Sequence, residues 1–130
     1  DNVTVCFSIR SSVSTQKRLL ADRLKALTEA LGGMYQEDSD YPAWEFKTDS
    51  PLRDRMINVY AALFGTCPSI EVMHAGLECG LFLEKLPNLD CVSFGPQIDE
   101  IHTTRERLSI ASTERLWNYM LKLLEKGSLC

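Results

Sequence analysis

The sequence predicts an α/β protein in which a small first lobe precedes a larger lobe of alternating helices and strands. Short stretches with the two-residue alternation of a strand recur between longer stretches with the apolar spacing of helices. The composition agrees, because 130 residues with 45% hydrophobic and 25% charged side chains suit one globular domain or two small ones. A polar, irregular stretch before residue 50 predicts lobes at 1–48 and 49–130.

The first lobe is predicted as strand, helix and strand. Residues 3–9 alternate apolar and polar side chains, which is typical of a strand with one buried face. Ser14 is the expected N-cap of a helix that Gly32-Gly33 ends, and 34–37 follows as a short strand. This order gives a partial ferredoxin-like βαβ lobe with a thin core. The helix is expected to bury an apolar stripe formed by Leu20, Leu24, Leu27 and Leu31.

The second lobe opens with the clearest helix start in the chain. Ser50 is the expected N-cap, Pro51 takes the first helical position and Asp54 lies in the first turn. Gly65 is expected to end this helix. The apolar residues of this helix, which follow helical spacing, are Leu52, Met56, Val59, Tyr60, Leu63 and Phe64.

The rest of the second lobe is predicted as strand, helix, strand and helix. We expect a strand at 69–73, a short helix within 76–84, a buried strand at 91–94 and a long polar loop at 97–111. Ser112 is the expected N-cap of the last helix. Helices that alternate with strands imply helices covering a sheet. The core-facing side chains of the last helix are expected to be Leu116, Trp117, Met120, Leu121 and Leu124.

Charge and cysteine content exclude several classes of protein. The net charge is −4 and the basic residues are scattered among acids, so we expect no nucleic-acid partner. No apolar run approaches the roughly 20 residues of a membrane span, so we expect no membrane partner. The five cysteines form no C-x-x-C pair. Cys6, Cys79 and Cys91 are expected to be buried thiols, which favours the reducing cytoplasm.

His102 is the first candidate for binding chemistry. It follows the predicted strand at 91–94 and lies among acidic residues. Ligands of α/β sheets gather beyond the carboxyl ends of the strands, where a neutral imidazole can bind a metal. The alternative, which sequence spacing does not exclude, is that His102 is an ordinary solvent-exposed histidine of a loop and binds no metal.

The segment from His74 to Glu78 is the second candidate. Glycines on both sides of Glu78 allow a turn that exposes backbone N–H groups around Gly76 and Leu77, which suits a carboxylate or phosphate ligand. In the alternative, Glu78 simply lies near the positive end of a helix. Arg10 ends the first predicted strand, where it either pairs with a substrate carboxylate or forms an ordinary surface ion pair.

Several of these motifs together resemble a known family. Residues 74–82 read His-Ala-Gly-Leu-Glu-Cys-Gly-Leu-Phe, 92–96 read Val-Ser-Phe-Gly-Pro, and His102 follows. This arrangement closely resembles the C-terminal part of the aminoacylhistidine dipeptidases, also called Xaa-His dipeptidases. The resemblance extends upstream through 41–44 to Arg10, so it spans nearly the whole chain.

The resemblance implies a cytosolic metallopeptidase with two zinc ions in a catalytic domain and an inserted ferredoxin-like lid. Residues 1–48 then correspond to part of the lid, and 49–130 to the last section of the catalytic domain. His102 resembles the family's last metal ligand. Gly76, Leu77 and Glu78 resemble the loop that holds the dipeptide carboxylate, and Arg10 resembles a lid arginine at the same end of the substrate. His74 belongs to the motif and is grouped with these substrate-binding residues.

The resemblance also implies what this chain lacks. The family's other metal ligands and its catalytic glutamate belong to the N-terminal half, so no catalytic residue is predicted here. We expect a C-terminal fragment that is inactive alone and forms a homodimer or self-associates through an exposed lid edge. After the histidine the family has Ser-Pro-Asp-Glu, whereas 103–106 here read Thr-Thr-Arg-Glu.

Two other functions remain open from the residues. The chain could be a non-catalytic α/β module that binds carboxylates through Arg10 and the turn at Gly76. It could also be a structural domain whose strand edge pairs with a protein partner. An upstream segment carrying His-x-Asp and Glu-Glu pairs in the parent gene would favour the dipeptidase.

Overall fold

The computed structural model describes residues 3–74 and 78–125, which contain both helices and a small antiparallel sheet. The chain divides into two compact units, the first comprising Asp1–Thr48 with Glu71–Leu89 and the second comprising Asp49–Ile70 with Asp90–Cys130. The predicted boundary after residue 48 coincides with a division, but 71–89 groups with the first unit. The elements are α1 (Ser14–Ala30), α2 (Pro51–Phe64), α3 (Glu78–Lys85), β1 (Ile98–Asp99), β2 (Arg107–Leu108) and α4 (Ile110–Leu124).

Helix α1 begins at Ser14, so the prediction that Ser14 is its N-cap is wrong. Val13 takes the cap position and offers no side-chain acceptor. The Ser14 N–H instead donates to Glu45 Oε1 at 2.9 Å, so a carboxylate from a distant segment does what a capping side chain does. The predicted end is confirmed, since Gly32 has a φ of +80° and the Gly33 N–H donates to Thr28 O at 2.9 Å.

The inward face of α1 differs from the predicted leucine stripe. Ala21 is buried and Leu24 is half-buried, whereas Leu20, Leu27 and Leu31 are exposed. One turn before Ala21, Lys17 donates to the Tyr41 carbonyl, which holds the segment around residue 41 against this line of the helix. No described element of the first unit covers the exposed leucines.

Helix α2 has the predicted ends. Ser50 Oγ accepts from the Arg53 N–H at 3.2 Å, and Pro51 is the first helical residue. Gly65 has a φ of +69°, and its N–H donates to Ala61 O at 2.9 Å. Asp90 adds a support that spacing did not predict, because its carboxylate accepts from Ser50 Oγ at 2.7 Å and from the Leu52 N–H at 3.0 Å.

The core of the second unit lies where α2 meets α4. Met56 and Tyr119 are both buried, and the Tyr119 hydroxyl donates to Met56 O at 2.7 Å. The Tyr119 ring also lies 5.6 Å from the ring centroids of Tyr60 and Phe94 and 6.4 Å from that of Phe64. These separations are those of packed aromatic pairs. Tyr119 is therefore the centre of this core, although it lies outside the predicted stripe.

Helix α4 starts three residues earlier than predicted. Ser109, not Ser112, is its N-cap, and Ser109 Oγ accepts from the Ser112 N–H at 3.3 Å. Ser112 lies inside the helix, where its hydroxyl accepts from the Gln97 N–H at 2.8 Å. The inward face therefore passes through Ser112 and Tyr119. Contrary to prediction, Trp117, Leu121 and Leu124 are exposed.

The polar stretch 97–111 is more ordered than the predicted loop. Strands β1 and β2 pair in antiparallel register, with Ile98 opposite Leu108 and Asp99 opposite Arg107. The Ser109 N–H extends this pairing by donating to Gln97 O at 3.0 Å. The segment is thus a hairpin whose tip carries His102.

The four predicted strands at 3–9, 34–37, 69–73 and 91–94 are wrong for the described chain. None of them forms a strand, since the only ladder found in the described residues joins β1 to β2. Alternation specifies which face of a strand is buried but supplies no partner for its backbone groups. Val3, Val5 and Phe7, the apolar members of the first segment, are all exposed.

Two further features bear on the sequence predictions. Among the described residues no helix has the length and hydropathy that would let it cross a membrane. Cys6, Cys67, Cys79 and Cys91 form no disulfide. The prediction of three buried thiols is wrong, because Cys6 is exposed and Cys79 and Cys91 are only half-buried. An apolar sequence context does not bury a side chain unless another element covers it.

Candidate substrate and metal-binding sites

His102 lies at the tip of the hairpin in an unusual backbone conformation. Its φ is +65° and that of Glu100 is +53°, in the left-handed region that side chains with a Cβ rarely adopt. The His102 N–H donates to Glu106 Oε2 at 2.9 Å, and its side chain is exposed. Such strained positions persist where neighbouring contacts fix them, and they cluster at functional sites.

Two arginines fix the other acidic side chain of the tip. Arg105 Nε lies 2.6 Å and Arg107 Nη2 3.3 Å from the two carboxylate oxygens of Glu100. The Thr103 hydroxyl donates to the Glu100 carbonyl at 2.7 Å, which closes the turn. The sequence 103–106, which departs from the family pattern, therefore builds a loop whose own contacts hold the backbone of His102.

The described residues do not bring together a complete set of ligands for a zinc ion. Within 3–74 and 78–125 no group of three or more His, Cys, Asp or Glu side chains could hold a metal. The acidic neighbours of His102 are also engaged, Glu106 by the backbone and Glu100 by arginines. Because a zinc site needs three or four protein ligands, the described residues around His102 do not fit a complete zinc site by themselves.

A second cluster lies in the first unit, between the residues after Arg10 and His74. The Ser12 N–H donates to His74 Nδ1 at 3.0 Å, and Ser12 Oγ lies 3.3 Å from the same atom. Ser11 and Ser12 are 8% and 3% exposed, which is rare burial for serines near a surface. The fold thus joins two predicted binding segments that are 62 residues apart in sequence.

Arg10 stands two residues before this contact. It is exposed, and within the described part of the chain its guanidinium has no hydrogen bond or ion pair. This differs from the alternative of an ordinary surface pair with a neighbouring acid. Ser12 is the residue that sequence reasoning missed, and the only signal for it was the polar run that directly follows the apolar segment 3–9.

The other predicted binding residues are only partly described. Gly76 and Leu77 lie outside the described residues. Glu78 is exposed and is the first residue of α3, as the helix-end alternative requires. Its role toward a ligand stays a prediction.

Gly80 has a packing role that the motif did not predict. A Cβ atom built at Gly80 would lie 2.8 Å from Pro42 O and 3.6 Å from Ala43 O. Only a residue without a side chain lets α3 approach this segment so closely. The glycine therefore links the motif at 74–82 with the aromatic stretch at 41–44.

We expect Gly80→Ala to destabilise the first unit. The added methyl would press on backbone oxygen, which cannot rotate away, so the free energy of unfolding should fall by about 1–3 kcal/mol. Urea denaturation of the 130-residue chain measures this loss. Gly95→Ala is the matched control, because nothing lies within 4 Å of the Cβ position at Gly95. Equal stability of the two variants would contradict the packing role.

In sequence and fold this chain resembles a segment of the dipeptidases. It is 33% identical over 126 residues to the cytosol non-specific dipeptidase of Escherichia coli, covering 97% of this chain and 26% of that protein. A crystal structure of aminoacylhistidine dipeptidase from Vibrio alginolyticus matches 91% of this chain with 35% identity and a TM-score of 0.73. The predicted resemblance to the aminoacylhistidine dipeptidases is thereby confirmed, and it is consistent with their C-terminal portion.

The chain is also similar to a second curated protein. The chain is 30% identical over 123 residues to the succinyl-diaminopimelate desuccinylase of Bordetella petrii, covering 93% of this chain and 32% of that protein. No family model matches the chain. The chain spans about a quarter to a third of the length of the curated relatives it matches.

Proposed function

We propose that this chain is the C-terminal part of a zinc-dependent dipeptidase that hydrolyses Xaa-His dipeptides in the cytoplasm. The match to an aminoacylhistidine dipeptidase structure carries this proposal, because it combines 35% identity with a TM-score of 0.73 over 91% of the chain. Its coverage of only 24% of that structure supports a longer parent protein. In that parent, 1–48 would belong to a ferredoxin-like lid and 49–130 to an α/β catalytic domain.

Within the parent, the two clusters would have different roles. Arg10 and the loop formed by Gly76, Leu77 and Glu78 would hold the carboxylate of the dipeptide. The unpaired guanidinium of Arg10 supports this role, since arginine binds carboxylates through two parallel hydrogen bonds. His102 would be one ligand of a zinc site whose other ligands lie elsewhere in the parent. The 130-residue chain alone would then be inactive.

A homodimer in the parent is also part of this proposal. The exposed side chains of Val3, Val5 and Phe7 support it, since alternating apolar residues without a strand partner suit pairing with another edge.

Hydrolysis of a dipeptide panel by the full-length parent tests the proposed function. The panel contains Ala-His, Gly-His and β-Ala-His, with Ala-Ala as the matched peptide lacking histidine. We expect free histidine to appear by liquid chromatography, with higher kcat/KM for the histidine peptides, while the 130-residue chain releases none. Absence of cleavage of every peptide by the parent would contradict the proposal.

We expect Arg10→Ala in the parent to raise KM for Ala-His by about ten- to a hundredfold, the effect of losing a hydrogen-bonded charge partner. Arg10→Lys should recover part of this loss, because an ammonium keeps the charge but not the two-pronged geometry. Arg23→Ala, at an exposed arginine of α1, is the control and should leave KM unchanged. An unchanged KM in Arg10→Ala would remove Arg10 from the substrate site.

A further inference from the structure

The contact between Ser12 and His74 determines which ring nitrogen of His74 carries a proton. The Ser12 backbone N–H donates to Nδ1 at 3.0 Å, so Nδ1 must present its lone pair. In a neutral imidazole the single proton then resides on Nε2. Because a backbone N–H cannot change from donor to acceptor, this contact admits only the Nε2–H form of the neutral ring.

The surroundings of Ser12 keep the contact in place. Ser11 Oγ accepts from the Val13 N–H at 3.1 Å, which fixes the turn that leads into α1. Ser12 is 3% exposed, whereas His74 is exposed overall. The Nδ1 edge of the ring therefore meets a buried, rigid donor, and the rest of the ring remains accessible to a ligand.

We propose that Ser12 positions His74 as a fixed Nε2–H donor to the carboxylate of the dipeptide, the same group that Arg10 is proposed to bind. This rests on the proposed function and adds to it a role for His74. Arg10 lies two residues before Ser12 in the chain, so one short segment supplies a cation and also orients a neutral donor. Such paired recognition suits a carboxylate, whose two oxygens accept several hydrogen bonds. Ser12 is thus a positioning residue that acts through His74.

Two variants of His74 in the full-length parent separate a binding role from a structural one. His74→Asn puts an amide oxygen near the place of Nδ1, so it keeps the Ser12 contact and loses the donor at Nε2. His74→Gln puts an amide nitrogen near the place of Nε2 and restores a donor. We expect KM for Ala-His to rise about tenfold or more in the Asn variant and less in the Gln variant. A purely structural histidine would show the opposite order.

The amidated peptide Ala-His-NH₂ tests whether the carboxylate is the partner. In the parent, His74→Asn should lower kcat/KM for Ala-His but change that for the amide by less than about twofold, because the amide lacks the charged acceptor. Equal losses for both peptides would overturn the assignment. Melting temperatures of all variants, measured alongside, should lie close to that of the wild type.

The tautomer itself is measured by nitrogen NMR of the parent labelled with ¹⁵N-histidine, using His74→Asn to assign the resonances. We expect the His74 signals of a protonated Nε2 and an unprotonated Nδ1. A proton on Nδ1 would overturn the inference even if the parent is an active dipeptidase. If the parent cleaves no dipeptide, the proposed dipeptidase function is wrong, whichever nitrogen of His74 carries the proton. The activity measurement and the NMR measurement therefore distinguish failure of the proposed function from failure of the inference about His74.

Discussion

Replacement of His102 by alanine in the full-length parent is expected to lower kcat/KM for Ala-His by about a thousandfold or more. We propose that its imidazole is a metal ligand, and a bound metal supplies several kcal/mol of transition-state stabilisation. The exposed ring at the tip of a hairpin with a positive φ supports this role. The metal content of the purified variant should fall along with its activity, which is a second and independent readout.

Thr104→Ala is the matched control for His102. Thr104 is exposed and belongs to the same turn, so its replacement should leave kcat/KM and metal content unchanged. The His102→Ala variant should also keep its melting temperature in the metal-free state, since the exposed ring contributes little packing. Near-normal kinetics in His102→Ala would remove this residue from the site.

Replacement of Tyr119 by alanine is expected to give the largest loss of stability. Tyr119 packs against Tyr60, Phe64 and Phe94 and donates to Met56 O, so its removal leaves a cavity and also removes this hydrogen bond. Large-to-small replacements of buried aromatic residues lower the free energy of unfolding by about 3–5 kcal/mol. Tyr119→Phe removes only the hydroxyl and should lower it by about 1 kcal/mol. Urea denaturation of the 130-residue chain measures both.

Trp117→Ala is the control for Tyr119 within the same helix. Trp117 is 59% exposed, whereas Tyr119 is 6% exposed, although both are large aromatic residues of α4. The loss in Trp117→Ala should therefore stay below about 1 kcal/mol. If Trp117→Ala proved as destabilising as Tyr119→Ala, the inward face of α4 described above would be wrong.

The ionisation of the Tyr119 phenol is expected to make the free energy of unfolding depend on pH. Burial raises the pKa of its phenol above the ordinary value of 10.0, and the nearby Tyr60 raises it further. The folded state then binds the proton more tightly than the unfolded state. Its contribution to stability is complete below pH 10 and is lost as pH rises through the folded pKa. Denaturation midpoints of wild type and Tyr119→Phe should converge as pH rises above this value.

The helices were predictable from sequence because their signals are local. Ser50, Pro51 and Gly65 act within one turn of α2, so no distant partner is needed to read them. Ser14 failed as a cap because Glu45, 31 residues away, satisfies the backbone instead. The four predicted strands were wrong for a related reason. Alternating apolar and polar residues indicate which face of a strand is buried, but the hydrogen-bonding partners of its backbone must come from another part of the chain.

The candidate sites were predictable as residue types and not as geometry. Arg10, His74 and His102 stood out because cations and imidazoles followed apolar segments. Nothing in the spacing indicated that Ser12 would meet His74 across 62 residues. The contacts that hold His102 also depend on the pairing of β1 with β2, which a polar composition conceals.

Hydrolysis of Ala-His by the full-length parent, before and after removal of bound metal, is the decisive measurement for the proposed zinc dipeptidase. We expect cleavage by the purified protein, loss of cleavage after chelation and recovery when zinc is restored. Cleavage that survives complete removal of metal would contradict the zinc dipeptidase proposed here, and so would a metal-loaded protein that leaves the peptide intact.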